Sequence, residues 1–309
     1  MSGTRLRGLL KLNERTWRSI IGKSYQEWCE RSFRGSSEAS LSWLLLFERQ
    51  TSEGRVTWRA EPYQREAILR LIYMLEFGRR FTNEDYRPMN QIGVCMATGA
   101  GKTAVLMNLI SWAKTCEQEH GAEVFIVLAP NTIVRQRLWE GLSGEANPFS
   151  KIGFPTPPIH VLNLADDEPA SLDHCDVILT NIHRIFESNR KGSMLRDYLA
   201  SSGKRFLVIN DEAHNSVTGE YDRVMELFSD LPGFVARVDL TATPKRPDLV
   251  EIPSHFIYDY PPINGIEGIG THPLAVSRRE RPFIASPQSH VREGGRQILK
   301  KPVVVRPIP

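Results

Sequence analysis

The sequence predicts an α/β fold in which a mainly parallel sheet is covered by helices. Six short apolar runs alternate with helical patterns between residues 91 and 245. These runs are apolar along nearly their whole length, which is typical of parallel strands buried on both faces. A glycine-rich turn, TGAG, joins the first run to the first helix of this alternating region. In such a domain the functional loops lie at the carboxyl ends of the strands.

Residues 1–60 are the first predicted element, an accessory helical region ahead of the sheet. Apolar residues recur there at helical spacing. The region holds four of the six tryptophans, which indicates a packed layer; they are Trp17, Trp28, Trp43 and Trp58. A further helix is predicted over Arg65–Phe77, and the polar segment FTNEDYRPMN (81–90) predicts a loop after it.

The six predicted strands follow between residues 92 and 240. Helices are expected between most of them, notably over Thr103–Cys116 and Tyr221–Phe228. We expect residues 61–260 to form one domain around this sheet. The strands are IGVCM (92–96), VFIVLA (124–129), HVLNL (160–164), DVILT (176–180), RFLVIN (205–210) and FVARVDL (234–240).

The alternation fades beyond Pro244, and residues 261–309 carry eight prolines without a clear period. We expect a poorly ordered tail there. The tail is also basic, because eight lysines and arginines but only two acidic residues lie from Thr271 onward. The formal net charge of +3 therefore reflects the tail, and it is weak evidence that the body binds nucleic acid.

Composition excludes several classes of protein. With 41% hydrophobic and 24% charged residues the chain can bury a full core, which excludes wholesale disorder. The longest apolar run, Leu41–Phe47, is far shorter than the ~20 residues of a membrane helix. The N-terminus has no secretory pattern, and the four cysteines lack a C-x-x-C pair, which argues against a disulfide framework or a zinc ribbon. We expect a soluble, cytoplasmic protein.

The segment MATGAGKT (96–103) has the residues of a phosphate-binding loop. Gly99 and Gly101 allow successive backbone N–H groups to point into one concavity, which a triphosphate fills. Lys102 supplies a charge for the β- and γ-phosphates, and Thr103 supplies a hydroxyl for magnesium. Methionine replaces the first glycine of the strict pattern. The predicted nucleotide-binding residues of the loop are Thr98, Gly99, Ala100, Gly101, Lys102 and Thr103.

The segment RFLVINDEAHN places Asp211 and Glu212 directly after a predicted strand. A carboxylate at the carboxyl end of a parallel strand, beside a phosphate loop, suits a magnesium ion held through water. The next carboxylate can accept a proton from an attacking water. We therefore predict Asp211 as the metal residue, Glu212 as the general base and His214 as a sensor of the nucleotide. Taken alone, the segment is equally typical of a solvated helix cap.

Two flanking segments are less specific. In LTATPKRP (240–247), Thr241 and Thr243 can hydrogen-bond His214 or Glu212 and couple the nucleotide state to the rest of the domain. In PYQREAI (62–68), Gln64 has the amide needed to pair with N6 and N7 of adenine. By themselves, the first is an ordinary turn with a proline stop, and the second is a surface glutamine at a helix start.

Two strand-end loops fit a nucleic-acid path. The loop after the second strand holds Pro130, Asn131 and Thr132, and the loop after the fourth holds Thr180 and Asn181. Small polar residues and helix N-termini hold phosphates without reading the base sequence. We predict that these residues contact nucleic acid, although each segment in isolation is an ordinary strand-end loop.

In chain order the motifs are PYQ, TGAGKT, APN, LTN, DEAH and TAT. This set resembles the first RecA-like domain of superfamily 2 helicases. Within that superfamily it is most similar to the type III restriction endonuclease helicase (Res) subunit group, on the segments MATGAGKT, APNTIVRQRL and IYDYPPINGIEG. The resemblance covers about residues 60–268. The long separation of Lys102 from Asp211 argues against an unrelated phosphate-loop kinase.

The resemblance implies an ATP-dependent helicase or translocase module of a DNA restriction or repair system, with ATP and Mg²⁺ as cofactors. Lys102, Asp211 and Glu212 would carry catalysis, with magnesium on Thr103 and Asp211. The implied partners are nucleic acid, DNA in preference to RNA, and a second helicase half, a methyltransferase or a nuclease subunit.

The family's second RecA-like domain, with its arginine finger, should follow Thr243, but the remaining residues lack the strand–helix alternation of such a domain. We therefore expect this chain alone to bind ATP, to hydrolyse it weakly and not to unwind. Two origins of the tail stay open: a frameshift or truncation of a longer gene, or a real extension that binds nucleic acid or a partner subunit. The competing function is a non-catalytic nucleotide- and nucleic-acid-binding half-domain, completed in trans or degenerate.

Overall fold

The computed structural model describes residues 14–53, 60–78, 90–143, 149, 159–164, 169–185, 190–215, 219–243, 252 and 254–260. The chain divides into a first unit, Met1–Gly265, and a second unit, Ile266–Pro309. The predicted tail (261–309) and nearly all of the predicted polar loop (81–90) lie outside the described residues. The elements below all belong to the first unit.

Three described helices precede an alternation of strands and helices. The helices are α1 (Glu14–Glu30), α2 (Glu38–Glu53), α3 (Pro62–Phe77), α4 (Lys102–Thr115), α5 (Thr132–Ser143), α6 (Arg190–Ser202) and α7 (Gly219–Ser229). The strands are β1 (Gln91–Met96), β2 (Val124–Ala129), β3 (Val161–Asn163), β4 (Val177–Asn181), β5 (Phe206–Asp211), β6 (Phe234–Thr241) and β7 (His255–Tyr260). Short 3₁₀ turns span Pro169–His174, Ile182–Arg184 and Ala213–Asn215.

The described strands form one sheet in the order β3-β4-β2-β5-β6-β1-β7, and every described pair is parallel. This confirms the predicted fold class. Strand β7 was not among the predicted strands. It lies at the edge of the sheet and several of its residues are half-buried, so HFIYDY is no continuous apolar run. Gly93 of β1 lets β7 approach, because a Cβ there would lie 2.7 Å from the ring of Phe256.

The sheet is buried on both faces. In β2, alternate residues turn to opposite sides. Phe125 and Val127 join a core with α2, α3, α4 and α5, whereas Val124 and Ile126 join a second core with α6 and α7. This two-sided burial explains why the strands are apolar throughout rather than alternating with polar residues.

Helix α2 is bonded to α4 by two reciprocal tryptophan–serine pairs. Trp43 Nε1 donates to Ser111 Oγ at 3.1 Å, and Trp112 Nε1 donates to Ser40 Oγ at 2.9 Å. All four side chains are buried. Residues 38–53 therefore pack directly on the helix that begins at the glycine-rich turn.

Helix α1 packs on α3 through aromatic side chains. The Trp28 ring lies 5.4 Å from the Tyr73 ring and 4.8 Å from the Phe33 ring, measured between centroids. Among the described residues, no helix is long and apolar enough to span a membrane. All four cysteines are thiols.

Candidate functional site

The glycine-rich turn connects β1 to α4 in a geometry that only glycine adopts without strain. Gly99 and Gly101 have φ angles of +84° and +80°. Gly101 is the N-cap of α4, and Lys102 is the first helical residue. The helix N-terminus and its unbonded N–H groups therefore face the turn, which is the arrangement that binds phosphate. The six predicted loop residues, 98–103, lie in this turn and in the first two positions of α4.

Lys102 joins the phosphate loop to the acidic end of β5. Its side chain is buried, and its Nζ lies 3.1 Å from Glu212 Oε1. The same ammonium lies 3.5 Å from the carbonyl oxygen of Met96. The predicted phosphate-binding cation and the predicted general base are thus in direct contact, although they lie far apart in sequence.

Asp211 is the last residue of β5, and its side chain is buried. Burial, and next the negative charge of Glu212, raise the pKa of Asp211 to about 6, while the nearby Lys102 opposes the shift. Glu212 has a φ angle of +54°, a left-handed conformation that is costly for a residue with a Cβ. Such strain is typical of functional turns.

The residues present fit a magnesium ion bound with a triphosphate. Burial and the negative charge of Glu212 both raise the pKa of Asp211. A bound cation would therefore stabilise the ionised form of this carboxylate. Carboxylate and hydroxyl oxygens, from Asp211 and Thr103, are the hard ligands that magnesium prefers. The Thr103 side chain is exposed at the start of α4.

His214 and Thr241 connect the acidic strand end to β6. His214 Nδ1 lies 3.0 Å from Thr241 Oγ1 and 3.4 Å from Glu212 Oε2. The Thr241 hydroxyl donates to the carbonyl of Thr243 at 2.7 Å, and the Thr243 N–H lies 3.2 Å from the same hydroxyl oxygen. The structure therefore links Glu212, His214 and Thr241 in a chain of contacts. Thr243 joins this series of contacts through its backbone N–H and carbonyl.

Gln64 lies beside the phosphate loop, with its amide engaged at both ends. Its Nε2 donates to the carbonyl of Ala100 at 2.8 Å, and its Oε1 accepts the N–H of Glu61 at 3.0 Å. The side chain is buried, so Gln64 is no surface glutamine. In this arrangement the amide holds the phosphate loop to the start of α3. The contact of Gln64 with an adenine stays a prediction.

The predicted nucleic-acid residues either follow β2 or end β4, and these two strands are neighbours in the sheet. Asn131 caps α5, since its Oδ1 accepts the N–H of Val134 at 2.9 Å. Asn131 and Thr132 are exposed, Pro130 and Asn181 are half-buried, and Asn181 Nδ2 lies 3.5 Å from Thr132 Oγ1. Thr180 is fully buried. It follows Leu179 on β4, so its side chain points to the opposite face of the sheet from Leu179.

Sequence reasoning missed a buried pair next to these loops. Arg135 on α5 is 6% exposed, and its Nη1 donates to Oδ1 of Asn163, the last residue of β3, at 2.9 Å. The helical period could have shown that Arg135 faces inward, because it shares a face with the apolar Leu138 and Leu142.

Sequence reasoning also missed a buried polar network on β5 and β6, next to Asp211. Asp239 of β6 forms a buried ion pair with Arg237, with 2.8 Å between its Oδ2 and Arg237 Nη2. Asn210, the residue before Asp211, donates to Asp239 Oδ1 at 3.2 Å and to the hydroxyl of Tyr221 at 2.7 Å. These bonds tie β5 to β6 directly beneath Asp211 and Thr241.

The family model of the type III restriction enzyme res subunit matches residues 57–246 of this chain. The chain belongs to that family. The membership confirms the predicted resemblance to the res subunit and identifies a helicase-family domain of the RecA-like type. In this res-family domain the matched range contains Gln64, the phosphate loop, the acidic end of β5 and Thr241. No curated protein matches the chain.

Two solved structures are similar to the res-family domain at low identity. One is a nuclease-deletion mutant of the Type ISP restriction-modification enzyme LlaGI in complex with a DNA substrate mimic, with a TM-score of 0.47 and 14% identity. The match covers 72% of this chain and 22% of that one. The other is the Hef helicase domain of Pyrococcus furiosus, with a TM-score of 0.40 and 20% identity, covering 61% of this chain and 36% of that one. The chain thus spans about a fifth and about a third of these two proteins.

Proposed function

We propose that this chain binds ATP with Mg²⁺ at the phosphate loop and couples its hydrolysis to movement on DNA, as a helicase or translocase module. The observation that carries the proposal is the 3.1 Å ion pair between Lys102 and Glu212. It unites the residue types needed for phosphate binding and for water activation. The contact between His214 and Thr241 supports the proposal, because it joins this pair to the next strand.

ATP binding exchanges the partners of Lys102. The β- and γ-phosphate oxygens compete with Glu212 for the buried ammonium, and they carry more negative charge than one carboxylate. Glu212 is then released to accept a proton from the attacking water. Thr103 and Asp211 would hold a magnesium ion, which would neutralise phosphate charge. Phosphate binding and activation of the base are therefore one event.

Movement of Glu212 on ATP binding can be transmitted to the end of β6 through His214 and Thr241. The Glu212 carboxylate lies 3.4 Å from His214, which in turn contacts Thr241 at the end of β6. A shift of Glu212 changes the charge facing the His214 ring and hence the bond to Thr241. We propose His214 and Thr241, with the adjacent Thr243, as the residues that report the nucleotide state.

We propose DNA as the nucleic acid on which the module moves, because the family is that of a restriction-enzyme subunit. The proposed contacts are the exposed Asn131 and Thr132, with Pro130 and Asn181 beside them. Thr180 is proposed to support this edge from inside, because its side chain is buried. A second helicase half, a methyltransferase or a nuclease subunit is the proposed partner.

We propose that the 309-residue chain, assayed alone, turns ATP over slowly. In the helicase family a second RecA-like domain supplies an arginine finger, and the loss of such a finger typically costs ~10³–10⁵ in rate where it has been measured. Rapid hydrolysis stimulated by single-stranded DNA would contradict this part of the proposal, and tight ATP binding without measurable turnover would favour the non-catalytic half-domain.

Titration with a fluorescent ATP analogue in Mg²⁺ tests the nucleotide site. We expect Lys102→Ala to weaken binding at least about tenfold, since a charge-assisted bond is lost. Lys114→Ala is the matched control, because Lys114 lies at the other end of α4 and pairs with Glu117 and Asp176. An affinity that Lys102→Ala leaves at the value of the control would overturn the proposal.

A further inference from the structure

Two tyrosine rings are stacked on each other beside the phosphate loop. The ring centroids of Tyr63 and Tyr260 are 4.4 Å apart, and the ring planes differ by only 12°. Tyr63 is the second residue of α3, and Tyr260 is the last residue of β7. Strand β7 pairs with β1, the strand that leads into the loop, so the stacked pair lies at the carboxyl end of the sheet.

Backbone contacts hold both tyrosines next to the loop. The carbonyl of Tyr260 accepts the N–H of Ala97, the residue that follows β1, at 3.0 Å. Gln64, the residue after Tyr63, donates to the carbonyl of Ala100 at 2.8 Å. The two rings therefore keep a fixed position relative to the residues that would bind a triphosphate.

The two rings differ in burial. Tyr63 is 9% exposed and belongs to the core that contains α3, whereas Tyr260 is half-buried. Because Tyr63 covers one face of the Tyr260 ring, the exposed part of Tyr260 belongs to its other face and its edges. An aromatic ring that is supported on one face and reaches solvent suits a planar aromatic ligand, since flat rings prefer offset stacking.

The strand order indicates the direction in which a bound nucleotide lies. Lys102 lies 3.1 Å from Glu212, which follows β5, so we expect the γ-phosphate of ATP on the β5 side of the loop. The strands run in the order β5-β6-β1-β7, so β7 lies three strand spacings, about 14 Å, from β5. The nucleoside end of ATP therefore extends towards β7, where the stacked tyrosines lie.

We propose that the nucleobase of ATP stacks on the ring of Tyr260, and that Tyr63 supports this ring from behind. The inference deepens the proposed function, and it rests on it for the presence of ATP. Stacking uses the face of a base and not its hydrogen-bonding edges, so Tyr260 accepts both purines. This contribution to affinity is separate from the predicted contact of Gln64 with the edge of adenine.

A ligand without a base separates stacking from support of the phosphate loop. Binding of ATP, GTP and ribose 5-triphosphate to the full chain is measured by calorimetry in Mg²⁺. Loss of an aromatic side chain that stacks on a base typically weakens binding about 5- to 150-fold. We expect Tyr260→Leu to weaken ATP and GTP by similar factors in this range. The same variant should keep the affinity for ribose 5-triphosphate within about twofold of the wild type, because no stacked base is lost.

Two controls accompany this variant. Tyr260→Phe keeps the ring, so it should bind ATP as tightly as the wild type. Tyr258→Leu removes a half-buried tyrosine from the same face of β7, two residues further from the loop, and should leave all three affinities unchanged.

Three results would overturn the proposal. In the first, Tyr260→Leu weakens ribose 5-triphosphate as much as ATP, which would show that the side chain supports the loop and does not bind the base. In the second, Tyr260→Leu binds ATP as tightly as Tyr258→Leu does. In the third, Tyr260→Phe loses as much affinity as Tyr260→Leu, which would assign the effect to the hydroxyl group.

A comparison of ligands on the wild-type chain works even where Tyr260→Leu fails to fold. The wild type should bind ATP and GTP at least about fivefold more tightly than ribose 5-triphosphate. Equal affinities for the three ligands would overturn the stacking and leave the phosphate site standing. A wild-type chain that binds none of the three would instead contradict the proposed function itself.

Discussion

Replacing Ser40 by alanine tests how firmly the N-terminal helices are bound to the phosphate-loop helix. Ser40 Oγ on α2 accepts a 2.9 Å hydrogen bond from Trp112 Nε1 on α4, and both residues have 0% exposure. The variant changes the shape of the site little, but it leaves the indole N–H without this acceptor. A buried donor that loses its partner costs about 1–3 kcal/mol, so we expect the free energy of unfolding to fall by that amount.

Urea unfolding followed by circular dichroism measures this loss. Ser201→Ala is the control, because Ser201 is exposed on α6 and water can replace its bonds within the helix; we expect a change below about 0.5 kcal/mol. A double-mutant cycle with Trp112→Phe should give a coupling energy of about 1 kcal/mol between the two residues. A Ser40→Ala protein as stable as the control would refute the reasoning.

The result bears on the nucleotide site because α4 begins at Lys102. Trp112 lies ten residues further along, about 15 Å by the helical rise. If Ser40→Ala lowers the free energy of unfolding as expected, α2 is part of the folded core that positions the phosphate loop. Deletion of residues 1–60 would then also remove ATP binding. If Ser40→Ala is neutral, α2 is a separable layer on that core.

Two further variants and a labelling experiment probe the site and the core. Glu212→Gln should raise ATP affinity, because the phosphates no longer compete with a carboxylate for Lys102. It should also lower single-turnover hydrolysis at least about 100-fold, because an amide cannot accept the proton of the attacking water. Asp211→Asn should stabilise the magnesium-free protein at pH 8 by up to about 3 kcal/mol in urea unfolding with EDTA. The pKa of Asp211 is raised to about 6, so wild-type stability falls as the pH rises through 6, and the advantage of the variant should shrink at pH 5. Burial raises the pKa of Cys116 and Cys175 to about 12, so at pH 8 a thiol reagent should label them only after unfolding.

Each of these expectations has an opposite outcome that contradicts it. Unchanged turnover of Glu212→Gln would remove Glu212 as the base. A loss of stability in Asp211→Asn at pH 8 would show that its carboxylate is satisfied by its surroundings without a metal. Fast labelling of Cys116 in the native protein would contradict its burial in the core.

The sheet was predictable because burial on both faces leaves a strong mark in the sequence. A strand such as β2 is apolar at every position, which is typical of a parallel strand buried on both faces. Strand β7 left no such mark. It pairs on one side with β1, mixes Tyr258, Asp259 and Tyr260 with apolar residues, and depends on the missing side chain of Gly93, which only the paired structure reveals.

The phosphate loop and the acidic strand end were predictable because each needs particular residue types in a fixed order. The partners of their side chains were not. Gln64 was assigned to an adenine, but whether its amide meets a base or the Ala100 carbonyl depends on where α3 lies on the loop. Arg135 lies in the segment APNTIVRQRL but was given no role, because its burial beside β3 is visible only in the structure.

The buried pair of Arg237 and Asp239 shows how residues outside the motifs can hold them in place. Asp239 accepts bonds from Arg237 and from Asn210, and so fixes β6 to the strand that carries Asp211. Asp239→Asn should destabilise the protein by about 3–5 kcal/mol in urea unfolding, because it leaves a buried guanidinium without its charge partner.

Removing both charges distinguishes the two parts of this network. The double variant Arg237→Met, Asp239→Leu leaves no uncompensated charge, so it should be more stable than Asp239→Asn alone. If the double variant is as unstable as the single one, the hydrogen bonds that Asp239 accepts from Asn210 and Ser254, and not the charge pair, account for its contribution to stability. In that case the double variant should also weaken ATP binding, since Asp211 and Thr241 are the last residues of the two strands that the Asn210 bond joins.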